Sequence, residues 1–240
     1  MMTARHFPYQ HPTFGTKSNL AKSSRITRSI YFWWWEFLRR HAEYRQTCEA
    51  NGEGALSALY ADFGDIHATD FRTWWNQRGV DLFAEPPAVR SVVIVRPGEQ
   101  SVNIGDPALL IIAFPLSLPK RYLRQRFSAL LKRHHTRRRG QQTAKESRAK
   151  YKVHSSPNFE ALRRTLAVFD LRVSNPQMPL WEIAVHAKVV GAAQAPKQSD
   201  SPGAVRDKRR ICTVTASRYL RHAKLLIENV GIGIFPKNRR

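Results

Sequence analysis

Acidic residues are scarce in this chain of 240 residues. Eighteen Asp and Glu stand against 40 Lys and Arg, for a formal net charge of +22 and a pI near 10.9. Cysteine is scarcer still: Cys48 and Cys212 are the only two, far apart in sequence. They complete neither a zinc quartet nor a disulfide framework, so a reducing, cytoplasmic compartment is expected. Long apolar runs are missing. The longest, Ala108 to Leu118, is broken by Pro115 and falls short of the ~18 residues of a membrane span, so no membrane contact is expected. The opening MMTARHFPYQHP lacks the apolar stretch of a secretory signal. There is no internal repeat, no P-loop and no GxSxG, and the histidines show no metal-ligand spacing.

What is present is a core. Apolar residues make up 42% of the chain and six are Trp, too many for a disordered basic tail. The charge is segregated. Residues 1–28 carry five basic and no acidic residues, and residues 29–86 carry five basic against nine acidic. Residues 119–152 hold thirteen basic residues and one acid, and residues 206–240 a surplus of eight. Such segregation points to a polyanionic partner for the basic blocks, double-stranded DNA first.

The periodicity predicts a mainly α fold with a small β-hairpin, an α+β chain in five parts. Residues 1–28 read as a disordered basic arm. Residues 29–86 read as an acidic, aromatic helical module. Its first helix covers 29–50, with Ser29 as N-cap, Tyr31, Trp34, Trp35 and Leu38 on one stripe, and Asn51-Gly52 as its stop. A second helix covers Ala55 to Phe63, and a third starts near Thr69 and closes at Gly79. Trp33, Trp34 and Trp35 cannot share one stripe, so wide burial or presentation of a Trp is expected. Trp33 and Trp74 are the candidates for a protein interface, with a partner protein or a second copy. Residues 87–133 read as a β-hairpin, Val89 to Val95 with Leu109 to Phe114, followed by a basic helix opened by Pro119. Residues 134–153 read as a basic linker. Residues 154–236 read as a helix-turn-helix-like domain: a helix opened by Ser156-Pro157, one from Pro179, a loop over 191–209, and a last helix from near Val214 to Gly231.

In a helix-turn-helix, early polar residues of the second helix meet base edges. Thr213, Thr215, Ser217, Arg218, Arg221 and His222 are therefore the expected base contacts. The expected phosphate contacts are Lys120, Arg121, Arg124, Arg126, Lys132, Arg133, Arg137, Arg138, Arg139, Lys208, Arg209 and Arg210. About 25 residues separate the two helices, far more than a tight turn holds.

Enzyme signals are faint, and no catalytic residue, metal or cofactor is expected. Asp62-Phe63-Gly64 matches a kinase triplet without the accompanying loops. Asp62, Asp65 and Asp70 read as caps and turn residues. His135-x-x-Arg138 with Tyr151 resembles a tyrosine-recombinase element in a segment too basic and unpatterned for a rigid site. Tyr31-Phe-Trp-Trp-Trp-Glu-Phe-Leu-Arg-Arg40, Tyr60 to Asp65, Phe71-x-x-Trp74-Trp75, Ser217 to Leu220, Asn229 to Gly231 and Phe235-Pro236 together resemble poorly characterised proteins of bacterial plasmids, phages and integrated elements. The resemblance implies a mobile-element setting, with the protein associated with the nucleoid or a plasmid. The expected function is non-enzymatic DNA binding, with transcriptional regulation as output. The alternatives are plasmid replication or partition, RNA binding, and recombinase or nickase activity.

Overall fold

The computed structural model describes residues 7–14, 23–85, 110–134, 147–155 and 158–237. The chain divides into two units, one of residues 1–86 with 140–240 and one of residues 87–139.

The first unit is helical. It holds α1 (Ser23–Ile26), α2 (Ile30–Leu38), α3 (Ala42–Glu49), α4 (Ser57–Phe63), α5 (Phe71–Trp74) and α6 (Val80–Phe83), and a wide π-turn, Trp75–Gly79, joins α5 to α6. The helix expected over 29–50 is broken at Arg39–His41. There His41 takes up extended backbone and its Nδ1 accepts the Tyr44 N–H, capping α3. Gly79 does not close a helix, because the chain turns on into α6 without a break. A Cβ at Gly79 would lie 2.7 Å from the Trp75 ring and 2.9 Å from the Trp74 ring. Glycine is there to admit the two indoles.

Nearly all of α2 is buried. Trp33, Trp34 and Trp35 are 5%, 0% and 4% exposed. Trp34 meets Phe83 on one side and Phe235 on the other, with ring centroids 5.0 and 5.6 Å apart. The helix runs through the core on every side but the half-buried face of Phe32 and Glu36, which answers the three-tryptophan problem by wide burial. Trp33 and Trp74 are therefore unavailable as a protein interface. Trp33 Nε1 donates to the Thr27 carbonyl and Trp74 Nε1 to that of Phe63, each at 2.8 Å.

The core is completed from the far end of the sequence. The later part of the chain adds α8 (Phe159–Ser174), α9 (Leu180–His186) and α10 (Pro202–Gly231), numbered after α7 (Lys120–His134) of the second unit. Leu162, Leu166, Leu226, Ile227, Val230 and Phe235 join the same buried cluster as the tryptophans. Residues 29–86 and 154–236, expected as separate domains, thus share one interior. Arg40 ties them further. Its guanidinium grips Asp170 of α8 through two bonds of 2.7 and 2.6 Å while also holding Glu36 at 2.6 Å.

Two stretches expected to be unstructured are packed. In the arm, Phe7 lies 5.7 Å from Trp75 and Phe14 lies 6.0 Å from Phe71, so its aromatics belong to the core. At the end of the basic linker, Ala149 and Val153 are buried, Tyr151 N donates to the Leu82 carbonyl, and Val153 forms a single parallel bridge with Phe235. Asn158, not Ser156, caps α8 by accepting the Ala161 N–H, and Ser156-Pro157 lies outside the described residues.

In the second unit, α7 (Lys120–His134) forms as the sequence predicts. The β-hairpin does not. Among the described residues there is no strand, and residues 110–114 are irregular, with Leu110, Ile111 and Phe114 all more than 40% exposed. A lone β-branched run gains nothing from strand geometry unless it is paired and covered. Its expected partner, Val89 to Val95, lies outside the described residues. The fold is mainly α without the hairpin. No helix among the described residues is long and apolar enough to cross a membrane.

Candidate nucleic-acid interface

The longest element sets the site. In α10, Ser201 accepts the Ala204 N–H and Pro202 takes the first helical position, so the helix starts twelve residues before Val214. After Gly203 in the first turn, no Gly or Pro interrupts it before Gly231. Its underside recurs at helical spacing through Cys212, Ala216, Ala223, Leu226, Ile227 and Val230. The small residues let the α9 side chains come close: Cys212 and Ala216 form a cluster with Ala184. Farther along, Leu226 and Val230 enter the aromatic core.

This start removes the helix-turn-helix geometry. Thr213 to His222 lie in the middle of a 30-residue helix, far from its N-terminus. The loop is shorter than expected, because residues 202–209 are helical. The helix presents a side instead of a tip. Arg206, Arg210, Ser217, Arg221 and Lys224 are exposed, and successive turns of ~100° place them within an arc of about 60°. The row is about 27 Å long at 1.5 Å per residue. Among the described residues Arg206, Arg210, Arg218 and Arg221 form no ion pair.

Farther round the helix, centred about 140° from the row at ~100° per residue, lies an open groove of about 320 Å³ lined by Thr215, Arg218, Tyr219 and His222. Three of the six expected base contacts therefore meet in one place. Ser217 and Arg221 lie on the exposed row instead, and Thr213 is half-buried. The Thr215 hydroxyl donates to the Ile211 carbonyl at 2.9 Å, which turns its lone pairs outward. Tyr219 had no sequence-based role, although its spacing from Thr215 and His222 puts all three on one flank. Arg206 was hidden because it was read as loop.

The expected phosphate contacts divide. Lys120, Arg121, Arg124, Arg126, Lys132 and Arg133 are exposed on α7. Arg210 is exposed on α10. Lys208 is spent: its ammonium reaches both Asp200 oxygens at 2.8 Å and tethers the preceding loop. The Asp200 carboxyl is held below its usual range, chiefly by that ammonium and also by the Lys197 N–H. Arg209 stacks over the Trp181 ring at 4.6 Å, which fixes its plane. Arg137, Arg138 and Arg139 lie outside the described residues.

The enzyme-like residues have structural partners. Asp62 accepts from Lys150 Nζ at 2.6 Å and from the Tyr151 hydroxyl at 2.7 Å. Burial, then Asp62 itself, push the Tyr151 phenol well above its ordinary pKa, the wrong direction for a nucleophile. Asp65 and Asp70 accept backbone N–H groups of the turns that follow them. Cys48 and Cys212 are free and buried, and burial first of all raises the Cys48 thiol to about 11. Among the described residues no three His, Cys, Asp or Glu side chains gather as a metal site. Comparison with family models, with curated proteins and with solved structures returned no match.

Proposed function

We propose that this chain is a non-enzymatic DNA-binding protein that holds duplex DNA along the exposed side of α10. The observation that carries this reading is the row Arg206, Arg210, Arg221 and Lys224 beside Arg218, cationic and open along about 27 Å. Guanidinium groups suit phosphate oxygens by their fork geometry. The six cations of α7 add a sequence-independent attraction. Arg218 and His222, at the lip of the groove, are the side chains best placed to discriminate bases. Regulation of transcription on a bacterial mobile element, with the protein sitting on the nucleoid or a plasmid, is the simplest output. Plasmid replication or partition uses the same contact.

The test is binding to duplex DNA as a function of salt. Replacing Arg206, Arg210, Arg218 and Arg221 together by Gln lowers the magnitude of the log–log salt slope by about 3 to 4, at ~0.9 per phosphate contact. A flat salt dependence of the native chain, or an unchanged slope in the variant, sinks the proposal.

One observation favours a second reading. On α7 the exposed Tyr122 and Phe127 alternate with Arg and Lys, and Arg126 lies over Tyr122 at 5.6 Å. Aromatics among cations suit stacking of single-stranded bases. Competition between single-stranded RNA and duplex DNA decides it: RNA preference that vanishes in Tyr122→Ala with Phe127→Ala supports this alternative.

A further inference from the structure

Exposed apolar side chains are ordinary one at a time and informative when they gather. Among the described residues, eight of the twelve large apolar side chains that stand exposed lie between Leu110 and Leu131, in the second unit. Leu116 is 88% exposed. Helix α7, which follows it, has no buried residue.

The helix nevertheless sorts its residues. At ~100° per residue, Leu123, Phe127, Leu130 and Leu131 share an arc of about 100°. Phe127 and Leu131 are exposed, and Leu123 and Leu130 are half-buried. Arg126 and Arg133 border the stripe on one side, Arg124 and Arg121 on the other, and Gln125 lies opposite it. The helix holds six Lys and Arg and no Asp or Glu. The irregular chain before α7 extends the stripe. Phe114 meets Phe127 edge to face with ring centroids 5.8 Å apart, and Leu110, Ile111 and Leu118 are exposed in the same segment.

Charge and apolar content together select what covers this face. A second copy would set six cations against six, with no acid on either helix. Nucleic acid answers the cations, and its bases can stack on Tyr122 and Phe127. The aliphatic Ile111, Leu116 and Leu131 gain little from phosphates or base planes. An anionic bilayer answers both features: headgroups meet the cations, and the acyl boundary receives the aliphatic side chains. Arginines on both flanks suit a helix lying in the plane of the interface. Their stems run along the apolar face while the guanidinium groups reach the headgroups.

We propose that α7, with residues 110–118, binds the surface of an anionic phospholipid bilayer. The helix lies on the membrane and does not cross it, since no helix among the described residues is long and apolar enough to do so. This contact replaces the sequence-based expectation of no membrane contact, and it goes beyond DNA binding without resting on it. The cations of α7 serve any polyanion, and its aliphatic side distinguishes lipid from DNA.

The test adds lipid vesicles to the full chain. One set is phosphatidylcholine alone, and the other contains about 30% phosphatidylserine. The chain sediments with the anionic set and stays in solution with the neutral one. Replacing Ile111, Leu116 and Leu131 together by Gln keeps every cation and weakens vesicle binding about tenfold, because affinity follows the apolar area inserted. Duplex DNA binding by that variant stays at the native level, which shows that it folds. Depth is read separately. Cys48 and Cys212 are buried, so an environment-sensitive dye reacts with a thiol introduced by Leu131→Cys or Gln125→Cys. Anionic vesicles shift the emission of dye at residue 131 to the blue and leave dye at residue 125 unmoved. Equal affinity of the native chain and the Gln variant, or equal shifts at the two residues, means adsorption by charge alone and overturns the proposal. So does a chain that stays in solution with anionic vesicles. A blue shift at residue 131 that grows with protein concentration in the absence of lipid assigns the face to a second copy and overturns it. A shift with single-stranded RNA and none with vesicles assigns it to RNA, with the same consequence. Because the variants leave α10 intact, failure here is distinct from failure of DNA binding there.

Discussion

The two basic helices of this protein have similar charge and opposite support. Helix α10 has an underside of buried residues and is anchored at one end in the aromatic core and at the other against α9. Helix α7 has no buried residue at all, although Tyr122, Leu123, Phe127, Leu130 and Leu131 give it a recognisable apolar side. Composition treats the pair alike, and packing does not. Arginines on a packed helix hold fixed spacings and can discriminate by geometry. Cations on a helix without a buried face supply a field, which attracts any polyanion and distinguishes little.

The largest expected effect tests that difference directly. Leu226, fully buried beneath α10, is predicted to cost about 2–5 kcal/mol when replaced by Ala. Leu131 of α7, 38% exposed, is predicted to change stability by no more than about 0.5 kcal/mol on the same substitution. Urea melts of the two variants measure both. Similar losses would mean that α7 has a packed side after all, and the contrast would fall.

A smaller effect sharpens the functional side. Arg218→Ala is expected to weaken DNA binding by roughly 1–3 kcal/mol and to relax preference for one base if its guanidinium reads guanine. Lys132→Ala on α7 is expected to weaken all sequences alike and to reduce the salt slope by about one. Binding to a panel of duplexes with single base changes separates them. Identical behaviour of the two variants would place α10 in the same generic role as α7.

How far the sequence carried can be judged element by element. The start of α7 at Pro119 and the stop of α3 at Asn51-Gly52 were legible because local backbone chemistry sets them. Angular arithmetic showed that Trp33 to Trp35 cannot share one stripe, but it left burial and presentation both open, and only the long-range core decides for burial. The start of α10 was missed because Arg206 to Arg210 is polar and a loop composition precedes it. Nothing local reveals that Ser201 and Pro202 form a cap until the chain is seen to turn there. The fusion of the two presumed domains was illegible for a different reason. A core shared between residues 30–83 and 226–235 is a long-range fact, and charge segregation suggests separate modules whether or not they share an interior. Arg218, His222 and Thr215 were expected at the tip of a second helix. Their spacing does bring them to one groove, but in mid-helix, so the tip-on geometry inferred from it is absent.

The smallest effect compares the open first turn of α10 with the interior it finally reaches, using glycine as probe. Gly203 has no atom within 4 Å of where a Cβ would sit. Alanine there restricts the unfolded chain without a clash, so Gly203→Ala is expected to stabilise by about 0.5 kcal/mol. Gly79 is also helical, and propensity alone predicts the same sign. Its Cβ would instead lie 2.7 and 2.9 Å from the rings of Trp75 and Trp74, which are 3% and 2% exposed. Indoles so enclosed cannot swing aside, so Gly79→Ala is expected to destabilise by about 1–2 kcal/mol. Thermal melts of the two variants should therefore move in opposite directions. If both rise, the tryptophan packing around the π-turn is looser than described. If both fall, the first turn of α10 is closed by something that presses on Gly203, and the exposed row that begins at Arg206 is partly covered.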